Sequence, residues 1–381
     1  MSEAAAPAPH AAERAPAPQP DAAARSPAPK RYASVDALRG LTVAAMLLVN
    51  DPGDWSHVYA PLLHSDWHGF TPTDLVFPMF LFIVGASIAL AMLPRLDAGT
   101  PAPALLRPAL WRALRILGLG LALHLIAMWV TDRDYLRLPG VLQRIGLCFA
   151  AAAAIALYLS ARAQWALWGA LLAGYFVLLA VGGSYAPFVN IASRIDFSIL
   201  GAHVYQIDPA SGRGHDPEGL VSTLGALATT LLGLRAGDWL RRGQVRALLL
   251  AGAAGLLAGA ALDLAQPINK NLWTPAYVLW AGGWSCWILA LCHVLIDRKG
   301  WPPLGRAFGV NAIAAYGGSA LLLYLLMGLG WLEPIYRHGF ADWMTPRFGP
   351  YLPSLAFALA FVALWWLVVR ALDARRIYFK I

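Results

Sequence analysis

Along the chain, apolar runs of roughly 18–25 residues alternate with short polar segments, each run long enough for a helix to cross a bilayer core of about 30 Å. The runs carry no polar face, so amphipathic helices of a soluble bundle do not explain them. The pattern predicts spans at 35–50, 74–94, 110–130, 139–160 and 164–182, then 218–236, 246–264, 273–296, 306–329 and 351–372. A long polar loop at 183–217 separates the two groups. The strand alternation that a closed barrel needs is absent. The predicted class is therefore an all-α, polytopic membrane helix bundle of about ten transmembrane helices. Residues 1–31, rich in Ala and Pro, have no continuous apolar core and are expected to be a disordered cytosolic tail. Residues 32–381 are the expected transmembrane domain.

Composition supports this picture. The chain of 381 residues is 59% hydrophobic and 13% charged, whereas a soluble domain carries about 25% charged residues. Cys148, Cys286 and Cys292 all lie in apolar runs without a CxxC pattern and read as small buried hydrophobes.

The net charge of +8 raises the question of nucleic acid, but in a membrane protein the positions of the cations matter more than their sum. With the N-terminus in the cytosol, 21 of the 29 Lys and Arg residues fall on the inner side. Every short inner loop is then basic, and both termini are expected to be cytosolic. The His, Asn and acidic residues gather on the other side: Asn50, Asp51, Asp54, His57, His64, Asp66, His68 and Asp74 before the second span, then Asn190, Asp196, His203, Asp208, His215, Asp216 and Glu218. Asn269, Lys270 and Asn271 precede the eighth. Chemistry is expected on the periplasmic side.

The segment from His64 to Pro78 is the richest. Asp74 stands at the start of an apolar helix, where it can cap free N–H groups; alternatively Thr71 or Thr73 caps and Asp74 orients a neighbour. Ionisable groups at membrane depth are candidates for function. His64 and His68 have a spacing that suits two metal ligands, but Gly69 and Pro72 predict a loop and no third ligand follows. No metal is expected; a neutral His that takes a proton or attacks an acyl carbon fits better. His57, His203, His215 and His338 read as surface or interfacial, and His124 and His293 as buried helix residues. At the cytosolic end, Asp36 and Arg39 form an i,i+3 pair. Arg39 with Arg112, Arg115 or Arg235 could bind phosphate, although the positive-inside bias alone explains them. Arg115 to Gly120 matches RxxGxG, but inside an apolar helix its glycines are expected to serve packing, as are Gly255 and Gly259.

Taken in order, Ser34–Gly40, Val49-Asn50, His64–Ser87, Pro139–Gly146, Asp216–Gly219 and Asn269–Trp273 resemble the heparan-α-glucosaminide N-acetyltransferase family, transmembrane acyltransferases that use acetyl-CoA. The resemblance implies transfer of acetyl from cytosolic acetyl-CoA to an amino sugar or glycan amine across the membrane. It carries the family's active histidine to His64, ahead of Trp67-His-Gly69, and the asparagine ending the first helix to Asn50. Asp74, Arg144, Asp216, Glu218, Asn269 and Lys270 match family motifs; Asn271 and Trp273 share the last of them. His64, Asn50 and Asp74 are the expected catalytic residues. Trp67, Arg144, Asp216, Glu218, Asn269, Lys270, Asn271 and Trp273 are expected on the acceptor side, and Asp36, Arg39, Arg112, Arg115 and Arg235 around acetyl-CoA. The interval from Asn50 to His64 is longer than in the family's lysosomal branch. Scarce Lys with abundant Ala and Arg points to a GC-rich bacterium and its inner membrane, so heparan sulfate does not carry over as substrate. Expected partners are the acceptor and the bilayer, with a homodimer as an option. The competing class is an inner-membrane transporter of N-acetylglucosamine or related sugars; the halves show no inverted repeat of hydropathy.

Overall fold

Hydropathy sets the architecture, and the computed structural model describes residues 31–379. Of the tail expected at 1–31 to be disordered, residues 1–30 lie outside the described residues. The first half builds α1 (Ala33–Asn50), α2 (Val76–Asp97), α3 (Ala102–Val130), α4 (Val141–Tyr158) and α5 (Ala161–Val181). The polar loop then proves partly ordered. Asn190 caps a short α6 (Ile191–Leu200) by accepting from the Ser193 N–H, and β1 (Gln206–Ile207) pairs antiparallel with β2 (Gly214–His215). A side-chain cap and a two-residue ladder leave no hydropathy signal, so a run count reads such a segment as loop.

The second half holds α7 (Thr223–Arg241), α8 (Val245–Asp263), α9 (Pro275–Cys292, extended by π-helical turns to Arg298), α10 (Arg306–Val310), α11 (Ala312–Gly328), α12 (Leu332–Tyr336), α13 (Asp342–Phe348) and α14 (Tyr351–Ala374). The chain is a multi-pass membrane protein of helical class. Among the described residues, eight helical segments are long and apolar enough to cross a bilayer, and nine if α11 and the α12–α13 segment, bent 101° from it, are counted as one broken span. The expected tenth is α7, whose Arg235, Asp238 and Arg241 make it too polar to qualify alone. It nonetheless runs parallel to α2: a Cβ at Gly85 would overlap the Thr230 carbonyl, one at Gly233 the Phe82 carbonyl, and one at Gly237 would press on Ala86. Close approach buries α7 as an internal pillar at the depth of α2.

Gly255 and Gly259 make the expected close contact, facing Gly283 and Trp280 of α9. Gly120 packs on Gln143, whereas Gly118 has open space where a Cβ would go, so the packing expected of it is not found. Polar bonds tie the two ends of the bundle. At one end Ser34 bonds Asp297, Arg241 meets Asp97 at 2.7 Å and Arg306 meets Asp373 at 2.6 Å. At the other, Ser354 donates to the Asp54 carbonyl at 3.0 Å and Tyr277 to the Asp74 carbonyl at 2.7 Å.

Candidate active site

The loop after α1 brings His64 back over the start of α2. A helical turn at Pro72–Leu75 precedes α2, and Asp74 sits in it with no exposed surface. Its two oxygens divide the work. Oδ2 accepts from the Thr71 N–H at 2.9 Å, the Ser65 N–H at 3.1 Å and the Thr71 hydroxyl at 3.1 Å. Oδ1 faces His64 Nδ1 at 2.7 Å. The two roles weighed from sequence, cap and orienter, are both filled by one carboxylate. An ionised Asp74 accepts a hydrogen bond from Nδ1–H, which keeps the proton on Nδ1 and the lone pair on Nε2.

Lys270 approaches the same ring, its Nζ 3.0 Å from Nε2 and 3.3 Å from Nδ1. It comes from the loop between α8 and α9, which is latched to the His64 loop. The Asn269 side chain donates to the Trp67 carbonyl at 2.7 Å, and the Gly69 N–H donates to the Ile268 carbonyl at 2.8 Å. The other oxygen-bearing arm of Asn269 accepts from the Leu272 N–H at 2.8 Å. Asn269 is therefore a fastener, fully buried, rather than a wall of the site.

His64, Lys270, Asn271, Asn50 and Glu218 line one cavity of about 350 Å³, with Trp55, Tyr205, Thr73 and Val141. Sequence placed these groups far apart, and the fold gathers them. Burial pushes the Lys270 amine below its ordinary value, partly offset by Glu218 and Asp74. Burial pushes the Glu218 carboxyl up, but Arg137, Arg144 and Lys270 outweigh it and the net shift is downward.

Arg137 is the residue that sequence reading passed over. It grips Asp216 with two bonds of 2.9 and 2.7 Å, reaches Glu218 at 2.5 Å, and lies over the Tyr205 ring at 4.6 Å. Its signal is weak in the sequence because its partners lie 79 and 81 residues away. Asp216 has no exposed side-chain surface. Arg137→Met is expected to leave both carboxylates buried without their cation, lowering stability by about 3–5 kcal/mol. Thermal unfolding in detergent, followed with and without the substitution, measures this.

Other expected acceptor-side residues stand behind the cavity. Arg144 is 1% exposed, donates to Ser222 and to the Gly219 carbonyl, and lies 5.0 Å from the Trp273 ring centre. Trp273 is held in turn by Thr229 at 3.0 Å. Trp67 donates to the Tyr185 carbonyl at 2.7 Å and packs on His215. His215, expected at the surface, is buried: the hairpin and α6 fold over it, Ser193 meets its Nδ1 at 2.8 Å, and burial pulls it down to about 4. His64 and His68 do not converge; His68 turns to Asn269 at 3.2 Å.

A second cavity, about 170 Å³, opens toward the Arg39 end and is lined by Arg39, Arg112, Ser87, Phe149, Tyr316 and Phe379, among others. Asp36 and Ser87 hold the Arg39 guanidinium at 3.3 and 2.8 Å. Met46 is a wall of both cavities. Along α1, Arg39 and Asn50 are eleven residues apart, roughly 16 Å of rise, with Met46 between them. Three of the expected donor residues are not walls of the Arg39 cavity, and of these Asp36 stands behind Arg39. Arg115 is exposed and is not a wall. Arg235 turns to Asp238 at 2.8 Å and to Gln164 of α5 at 3.2 Å.

Residues 31–207 match the family model described as heparan-alpha-glucosaminide N-acetyltransferase, catalytic. The chain is 28% identical to the human heparan-alpha-glucosaminide N-acetyltransferase over 416 residues, covering 92% of this chain and 60% of that one. The mouse protein of the same name matches at 28% over 415 residues, with the same coverage. The chain thus spans about 60% of the length of these relatives.

Proposed function

From the similarity of this chain to the heparan-α-glucosaminide N-acetyltransferases, we propose that it is a member of that family and moves acetyl from cytosolic acetyl-CoA to an amino sugar or glycan amine on the opposite side. We place the Arg39 end in the cytosol and the membrane as the inner membrane of a bacterium, in keeping with the basic inner loops. The observation that carries the proposal is the pair of cavities that share Met46 as a wall, one lined by Arg39 and Arg112, the other by His64, whose Nδ1 is held from behind by the buried Asp74.

A donor with a charged nucleotide cannot cross the lipid, so its phosphates stay at Arg39 and Arg112. Asp36 and Ser87 set the Arg39 guanidinium for that contact. The thin arm bearing the thioester passes Met46 and brings the acetyl carbonyl to His64. In direct transfer the acceptor amine attacks the carbonyl carbon, the C–N bond forms and the C–S bond breaks. His64 Nε2 takes the amine proton and returns it to the departing thiolate. In the stepwise route Nε2 itself attacks, holds the acetyl group as thiolate leaves, and yields it to the amine. Both routes need the Nε2 lone pair, which Lys270, 3.0 Å away, gives up as it turns to the oxyanion.

Lys270 and Asn50 stand on the same cavity wall and donate to the oxyanion that forms, an effect worth about 3 kcal/mol for one donor in comparable sites. Glu218 and Asn271 hold the acceptor, and Arg137 fixes Glu218. The test is purified protein with acetyl-CoA and a panel of amino sugars, the amide detected by mass spectrometry. N-acetylated product from one or more of the sugars is expected. No product from any amine, with no thioester cleavage, overturns the reading.

A further inference from the structure

The acceptor side holds a second hollow. A cavity of about 680 Å³ lies between the loop that follows α1, the end of α11 and α12, walled by Asn50, Asp51, Asp54, Trp55, Leu323, Met327, Glu333 and Tyr336 among others. Asn50 and Trp55 also wall the His64 cavity, so the two spaces share a partition. Both volumes fall within the range of about 300–1,000 Å³ of pockets that hold small molecules.

The fold builds this hollow deliberately. The chain breaks after α11 at Gly330, whose φ of +68° lies in the left-handed region, and turns through 101° so that α12 walls the space instead of continuing the span. Tyr336 of α12 packs on Phe357 of α14 at 5.8 Å, and a Cβ at Gly53 would overlap its ring. The loop is pinned from below, where the Asp54 N–H donates to Ser354 Oγ at 3.0 Å. Trp55 is 63% exposed in this rigid frame, an aromatic face standing between two cavities.

We infer that this hollow is a second acceptor subsite, which takes the neighbouring residue of a cationic amino-sugar oligomer whose reacting amine lies at His64. The inference rests on the function proposed above and specifies the acceptor. Trp55 offers its face to a sugar ammonium, the best of the aromatic partners for a cation. Asp51 and Glu333 supply negative charge, Asp54 is shared with His57 at 2.6 Å, and none of the described wall residues is a Lys or Arg. Burial pushes the Asp51 carboxyl up to about 7, and an ammonium against it offsets that cost. A sulfated or uronic-acid glycan meets repulsion here.

The experiment compares glucosamine, a β-linked glucosamine trisaccharide and a uronate–glucosamine disaccharide as acceptors, with Asp51→Asn/Glu333→Gln protein beside wild type. Wild type is expected to favour the trisaccharide over glucosamine in kcat/KM by about tenfold, and the uronate disaccharide least; each tenfold step corresponds to about 1.4 kcal/mol. The double variant is expected to lose the trisaccharide preference while using glucosamine within twofold of wild type. Equal use of the three acceptors, or an equal fall for monomer and trimer in the variant, overturns the subsite. Binding of the trisaccharide to protein without acetyl-CoA, read by Trp fluorescence, applies the same test where no acetylation is seen. Absence of any acetylation fails the proposed function; trisaccharide binding unchanged in the double variant fails the subsite.

Discussion

On the proposed function, His64→Ala is expected to lower acetyl transfer to an amino sugar by about a thousandfold, within the range of roughly 10²–10⁴ for a positioned acid–base group. The side chain is 43% exposed, so its own burial adds little, and the stability cost expected is that of Asp74 Oδ1 losing its partner, about 1–3 kcal/mol. Loss of activity in a protein that still folds is the diagnostic. Asp74→Asn is expected to follow it in activity, because an amide at Oδ1 no longer demands the Nδ1 proton. The tautomer with the lone pair on Nε2 then loses its partner at 2.7 Å. Loss of the equivalent carboxylate in hydrolytic triads costs about 10⁴ in rate. Initial rates for both variants, with thermal unfolding beside them, check this. A His64→Ala protein at wild-type rate removes the histidine from the chemistry. Brief exposure of wild type to labelled acetyl-CoA, followed by peptide mass spectrometry, then separates the two chemical routes. Label on His64 identifies the stepwise one.

The second large effect concerns the passage. Met46 is 4% exposed and walls both cavities, so an indole at this position fills the partition. Met46→Trp is expected to lower the acetyl-CoA-driven rate by about a hundredfold while leaving His64 and Asp74 in place. Overpacking itself costs about 1–3 kcal/mol of stability, which makes a control necessary. A short thioester such as S-acetylcysteamine, offered from the His64 side, does not need the passage. Its rate is expected to match wild type. If both donors fall together, the substitution has damaged the site rather than closed a path.

Much of the fold was legible because lipid demands long apolar runs, and runs need no alignment to be seen. The spans from α1 to α5, and α8, α9 and α14, follow from that demand. Its failures have physical causes. The span expected at 218–236 is present as α7, but it starts at Thr223 and runs on to Arg241, because neighbouring helices shield Arg235, Asp238 and Arg241. The run at 306–329 breaks at Asn311, whose side chain donates to the Ile377 carbonyl at 3.2 Å, a contact with a segment distant in sequence. The bend after α11 needs Gly330 and a packing surface that hydropathy does not encode.

The site divides in the same way. His64 and Asp74 were readable because ten residues separate them and the helix start lies between. Lys270 was visible only as part of a motif; its place against His64, 206 residues away, is a property of the fold. Arg137 gave no signal, since a single arginine in a polar loop looks like any other. Asn269 and Trp67 were visible as polar and aromatic exceptions, but visibility did not reveal that they fasten two loops instead of lining the cavity.

The proposed transfer is vectorial, with acetyl entering at the Arg39 end and leaving at the His64 end. The direct measurement uses oriented proteoliposomes with labelled acetyl-CoA on the Arg39 side and glucosamine on the other. Labelled N-acetylglucosamine on the glucosamine side, with coenzyme A retained where the donor was added, is the predicted result. Product only when donor and acceptor share one side, or labelled acetyl-CoA itself crossing, would contradict it.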